Sequence, residues 1–173
     1  MSSQPSSSAA LARPCLLMVD VEGVPVAQPR PRACVRGGRA HVYDPATARP
    51  WRRLVAAAVA EELERQAAGL EELHEGEGGE PPPTDRAVAV DLRFRIPRPK
   101  THYSTKAGFL RPSAPSRHLK KPDVDNLAKA VLDELGSVIN DDRQIVALTV
   151  KKRYIEPGEA AGVSISVWLE PDE

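Results

Sequence analysis

The segment from Pro122 to Val150 leaves this chain the least conformational freedom. Pro122 donates no backbone hydrogen bond and turns the residue before it away from helix. Asp123 is a good N-cap, and acids at 123 and 125 suit the positive end of a helix dipole. Apolar residues at 124, 127, 128, 131, 132 and 135 fall on one face, so the spacing predicts a helix over 123–135. Gly136 is placed to close it as a left-handed cap. Asp125, Lys129 and Asp133, four residues apart, share a different face, with Asn126 at its edge. The chain then turns through 137–140, and Asp141-Asp142 opens a strand over 144–154. There Ile145, Ala147, Thr149 and Lys151 alternate with Val146, Leu148, Val150 and Lys152.

A strand that folds back on the start of its preceding helix would bring Asp123, Asp125 and Asp142 together. Three carboxylates beside a lysine form a hard-oxygen site suited to Mg²⁺ or Mn²⁺, ions that neutralise charge developing on a phosphodiester. The same residues have a plainer reading. Asp125, Lys129 and Asp133 can be ordinary i,i+4 pairs, about 0.2–0.5 kcal/mol each. Asp123 can be only a cap, and Asp141-Asp142 only a turn. A D-x-D pattern alone is a weak motif.

The run K-P-D-V-D-N-L-x-K-x-x-L-D-x-L, followed after a short loop by D-D-x-Q-I-V, resembles the signature of the RusA family of Holliday-junction resolvases. The match is close over 120–150. Gln28-Pro-Arg-Pro-Arg32 and Pro97-Arg-Pro-Lys-Thr-His-Tyr103 resemble further segments of the family's longer members, so the likeness extends over most of 20–170. It implies that Asp123, Asp125 and Asp142 hold divalent metal, one ion or two, and that Lys129 is needed for cleavage. Asp141 is the weaker of its pair, and Asp133 matches a frequent acid of uncertain role. It further implies a homodimer that nicks two opposed strands of a four-way junction, as two-fold symmetry would favour. Arg30, Arg32, Arg98, Lys100, Lys120 and Lys121 are the expected contacts to the DNA backbone, arginine suiting phosphate through its planar fork of donors.

Composition agrees once it is read locally. Lys and Arg balance Asp and Glu at 24 each among 173 residues, so net charge is zero and argues against a generic nucleic-acid binder. The charges are nevertheless segregated. Residues 97–121 carry Arg98, Lys100, Lys106, Arg111, Arg117, Lys120 and Lys121 without an acid, while residues 61–80 carry glutamates and a single arginine. A basic strip leading into the carboxylates is what a phosphate-backbone ligand requires. Cys15 and Cys34 are too few and too far apart for a zinc site and read as reduced thiols. The N-terminus lacks the features of a secretory signal, and no apolar run reaches the ~20 residues needed to span a membrane. The expected location is cytoplasmic, at the nucleoid.

Elsewhere, residues 1–12 read as a disordered tail and 13–173 as one domain. Residues 15–21 read as a buried strand. A basic hairpin turns at Gly37-Gly38. Asp44 or Thr47 is expected to cap a helix over 48–66, with Leu54, Val55, Ala58, Val59 and Leu63 on its apolar face and Trp51 as a packing residue. Residues 67–84, acidic and then proline-rich, read as a mobile insertion. Residues 87–96 alternate clearly as a half-buried strand. The basic loop 97–121 is expected to clamp substrate, with His102 and His118 as surface histidines and Tyr103 and Phe109 available to stack on bases. A last strand over 163–169 is expected to form a hairpin with 144–154. The fold class is thus mixed α+β, a RusA-like sheet of about four strands with two main helices. The function expected is a Mg²⁺-dependent endonuclease acting on branched DNA. The alternatives are a branched-DNA-binding protein without nuclease activity, or a nuclease of looser substrate choice.

Overall fold

The computed structural model describes residues 13–30, 32–43, 45–71, 83–106 and 108–171. The main sheet contains β1 (Cys15–Glu22), β4 (Val88–Ile96), β5 (Ile145–Tyr154) and β6 (Gly162–Leu169), in the order β1-β6-β4-β5. β2 (Arg32–Arg36) and β3 (Arg39–Tyr43) form the separate hairpin, with Gly37 and Gly38 at φ 57° and 72°, as its Gly-Gly turn leads one to expect. α1 (Arg49–Glu71) and α2 (Val124–Leu132) cover one face of the sheet.

β4 runs parallel to β5 and antiparallel to β6. The expected hairpin between the last two strands is therefore corrected: the sheet is mixed, but β4 lies between them. Burial explains the order. Val88, Ala89, Val90, Leu92, Phe94 and Ile96 are all buried, which suits the centre. β5 keeps Val146 and Leu148 at 64% and 47% exposure and takes the edge. β1 is the opposite edge, with only Leu17 and Val21 buried rather than the whole strand. Gly162 permits a close approach there, since a Cβ on it would stand 2.1 Å from the Val21 carbonyl oxygen.

The core joins this sheet to Trp51, Val55, Val59 and Leu63 of α1 and to Leu127, Ala128, Ala130 and Val131 of α2. Trp51 packs at 2% exposure, as expected. The buried stripe of α1 follows i, i+4 steps, which leaves Leu54 half exposed. A 3₁₀ turn at Ala46–Ala48 precedes α1 with no side-chain cap from Thr47; Asp44 and the tail 1–12 lie outside the described residues. Of the expected insertion at 67–84, residues 67–71 belong to α1 and Thr84 bridges Ile139, while 72–82 lie outside the described residues.

α2 ends at Leu132, short of the predicted Leu135. Tighter turns follow, with Glu134 N donating to Val131 O at 2.9 Å and Leu135 N to Leu132 O at 3.0 Å. These turns bury Leu135, Val138 and Ile139, and Gly136 is not among the positive-φ glycines, so no left-handed cap forms.

Loop 97–121 is more ordered than a free clamp. Lys100–His102 is a 3₁₀ turn, Tyr103 bridges Leu110, and Arg117 bridges Arg153 of β5. His102 and His118 both pack edge-on against Tyr154, with ring centroids 4.7 Å away. The reading of His118 as a surface residue is corrected, since it is 6% exposed. Burial lowers its pKa from 6.5, with nearby Lys152 adding to the effect. Between the folded and ordinary values the unfolded chain binds the extra proton. Stability from this contact is therefore present above about pH 6.5 and lost as pH falls towards the folded pKa. In an NMR titration the His118 ring signals are expected to move at lower pH than those of an exposed histidine. Titration at the exposed value would contradict the packing.

Candidate active site

Two contacts fix the entry to α2. Lys152, from β5, donates to the Lys120 and Pro122 carbonyls at 2.9 and 2.6 Å. Gln28 N donates to Asn126 O at 2.8 Å, which docks the Gln28-Pro-Arg segment beside the helix. Asp123 is the N-cap residue, but its side chain accepts no capping bond, and helical hydrogen bonding begins with Leu127 N to Asp123 O at 3.1 Å. The Asp123 carboxylate is thereby left available.

The second acidic position is built by a capping box. Asp141 accepts from Arg143 N at 2.8 Å, and the Gln144 side chain accepts from Asp141 N at 2.8 Å. Arg143 also pairs with the Asp141 carboxylate, holding its pKa at about 2. Gln144 in turn donates to the Thr84 and Arg86 carbonyls at 2.6 and 3.0 Å. Asp141 is therefore committed to the turn, whereas Asp142 is exposed and has no side-chain hydrogen bond or ion pair among the described residues.

Asp125, Lys129, Asp133 and Asp142 line one cavity of about 460 Å³, walled by Val124, Leu148 and Val150. Lys129 is 62% exposed and stands 3.5 Å from Asp133. Asp142 also opens to an adjoining cavity with Arg52 of α1, which lies 3.7 Å from Asp133 and hydrogen-bonds Glu134. Asp123 instead lines a groove of about 670 Å³ with Gln28, Arg30, Lys121 and Asn126. The structure thus brings Asp125, Lys129 and Asp142 together and leaves Asp123 at the mouth of the neighbouring groove. Among the described residues, no three acidic, histidine or cysteine side chains converge enough to hold a metal by themselves. The donor set still fits Mg²⁺, which is commonly held by one or two carboxylates while retaining waters: Asp125 and Asp142 are exposed, hard-oxygen donors on one cavity.

Arg30, Lys100, Lys120 and Lys121 are exposed around the entry to α2 and on the loop before it. Arg32 opens β2, and its side chain lies outside the described residues. Arg98 is corrected. Its side chain is only 2% exposed, and its guanidinium donates to the Ile155 and Pro115 carbonyls at 2.6 Å each, which leaves no face for phosphate.

Sequence reasoning missed Lys152, Arg52 and Gln144. Lys152 had a legible signal. It shares the inward register of Leu148 and Val150, and a lysine there needs acceptors. Lys152→Met keeps the stem but removes the donors. It is expected to lower cleavage by about 10-fold or more, since small misplacements of a catalytic group are costly, with the circular dichroism spectrum retained. Unchanged single-turnover cleavage would show that the clamp does not position the site.

The fold and site define a small α+β domain presenting carboxylates to solvent between cations, an arrangement suited to phosphodiester chemistry. The chain belongs to the endodeoxyribonuclease RusA family, whose profile matches residues 22–167. It is 35% identical over 144 residues to the uncharacterized protein YqaN of Bacillus subtilis (strain 168), covering 79% of this chain and 86% of that protein. Among the described residues, no helix is long and apolar enough to cross a membrane.

Proposed function

We propose that this protein is a divalent-metal-dependent, structure-selective DNA endonuclease that nicks opposed strands of a Holliday junction. The observation that carries the reading is the shared cavity of Asp125, Lys129 and Asp142, in a chain of this family. Asp125 and Asp142 would hold Mg²⁺ or Mn²⁺, with Asp123 contributing from the helix start; the ion would supply Lewis-acid neutralisation of charge developing on the scissile phosphodiester. Lys129 places an exposed ammonium in the same cavity and would hold a non-bridging phosphate oxygen. Asp133 keeps that ammonium oriented. Arg30, Lys100, Lys120 and Lys121, together with Arg32, would bind the backbone on either side. The enzyme would work as a homodimer, one site for each of two equivalent strands, at the nucleoid in the cytoplasm.

The test is a nicking assay on a mobile synthetic four-way junction and its matched linear duplex, with Mg²⁺, Mn²⁺ or EDTA. Paired symmetric nicks in the junction alone, absent in EDTA, are expected. Nicking of flaps and forks at equal rates would move the reading to a nuclease of broader choice. Tight junction binding with no nicks under either ion would reduce the protein to a binding module.

A further inference from the structure

Across the sheet from the helices, like charges stand directly opposite one another. Arg93 and Arg95 alternate with the core residues Leu92 and Phe94, so they face away from α1 and α2. In the parallel register Arg93 lies beside Lys151 and Arg95 beside Arg153. The isolated bridge places Arg117 beside Arg153 on the outer side of β5. Like charges in opposed cross-strand positions are destabilising, and three such juxtapositions fall on one patch. Acids answer only part of it: Asp91 pairs with Arg93 at 3.0 Å, Asp20 with Arg95 at 2.6 Å, and Glu159 with Arg153 at 2.5 Å. Arg117 and Lys151 are exposed and have no side-chain hydrogen bond or ion pair among the described residues.

These side chains line a concavity of about 820 Å³ that wraps β5, taking Lys151 and Arg153 from one face and Val150 and Lys152 from the other. Its position matters as much as its charge. Val124 and Val150 wall both this concavity and the carboxylate cavity, so the two are contiguous. Arg117 also begins the stretch that ends at Lys120 and Lys121, beside Asp123. Alternate residues on a strand repeat every ~7 Å, a spacing on the scale of a polyanion's repeat.

We propose that this cationic tract is a second DNA-contact surface, taking the phosphate backbone of a duplex arm that leaves the carboxylate cavity around β5. The proposal rests on the branched-DNA reading above and joins Arg93, Lys151 and Arg153 of the sheet to Arg117 of the basic loop. Arg117 and Lys151 would be its principal phosphate contacts. Arg93 and Arg153, 65% and 44% exposed, would contribute field without leaving their acidic partners.

The experiment measures junction affinity in EDTA, where no strand is cut, over a range of NaCl concentrations. The proteins are the wild type, Arg117→Gln/Lys151→Gln, Lys151→Gln, Lys151→Arg, and Arg53→Gln on α1, outside the tract, as a single neutralisation matched to Lys151→Gln. Each neutralised phosphate contact contributes about 0.9 to the slope of log affinity against log salt. The double variant is expected to lose about 1–2 from that slope, with unchanged melting temperature, while Lys151→Arg and Arg53→Gln keep the wild-type slope. Wild-type binding with the same slope and affinity in the double variant would overturn the surface alone. A wild type that binds neither junction nor duplex would overturn both this proposal and the branched-DNA reading. A loss of slope in Arg53→Gln equal to that in Lys151→Gln would show a diffuse field rather than a tract, and would also reject it.

Discussion

Asp125→Asn is expected to lower Mg²⁺-dependent nicking of a four-way junction by about 10²–10⁴-fold, because a metal's charge stabilisation is worth several kcal/mol and each decade of rate costs about 1.4 kcal/mol. The substitution is nearly isosteric and exposed, so packing is kept and the helix loses only the small dipole contribution of one charge. What is lost is one of the three carboxylates on the shared cavity, and one of the two not paired with Lys129. Junction affinity in EDTA should hold or rise, because a negative charge facing phosphate has been removed. That pairing of outcomes separates a metal ligand from a helix-start residue whose loss merely loosens the fold. Asp142→Asn should behave in the same way. Asp141→Asn should cost stability of the 141–144 turn more than chemistry, since Asp141 caps that turn and pairs with Arg143. If Asp125→Asn retained full single-turnover cleavage in Mg²⁺, the carboxylate assignment would be wrong.

Arg98→Ala is expected to destabilise the domain by about 1–3 kcal/mol, because the part-buried Ile155 carbonyl and the exposed Pro115 carbonyl lose a charge-assisted donor. Those carbonyls belong to Ile155, just beyond β5, and Pro115, in the basic loop, so one side chain ties the loop to the sheet. The guanidinium also lies over the Tyr154 ring, 5.4 Å from its centroid. Its loss would loosen the aromatic cluster that holds His102 and His118. The total is an appreciable part of the 5–15 kcal/mol typical of a folded domain. A urea titration checks it: the midpoint should fall with little change in slope. Lys100→Ala, two residues on and exposed, should change stability by no more than about 0.5 kcal/mol while weakening junction binding. An Arg98→Ala protein of wild-type stability but reduced DNA affinity would restore Arg98 to the contact surface.

Residues near one another in the chain were the legible ones. α2, β4 and the Gly37-Gly38 hairpin follow from side-chain period and turn chemistry, which act over a few residues. The acids at 125 and 142 were legible because each is an exposed polar residue beside a strong local structure. Arg98 was not, because a guanidinium in a basic loop reads the same whether it faces solvent or two carbonyls. The end of α2 was missed because burial of Leu135, Val138 and Ile139 under the sheet favoured tight turns over a final regular turn ending at Gly136.

The sequence by itself determined the helix–turn–strand unit, the acids at 125 and 142, and the lysine between them, because caps, periodicity and charge spacing are local properties. Tertiary structure alone decided that β4 separates β5 from β6, that Asp123 faces the Gln28 groove, and that Arg93, Lys151, Arg153 and Arg117 meet on one patch. Those outcomes depend on which strand has most apolar surface to bury and so takes the centre of the sheet. That is a competition among segments far apart in the chain, and no short window of residues contains it.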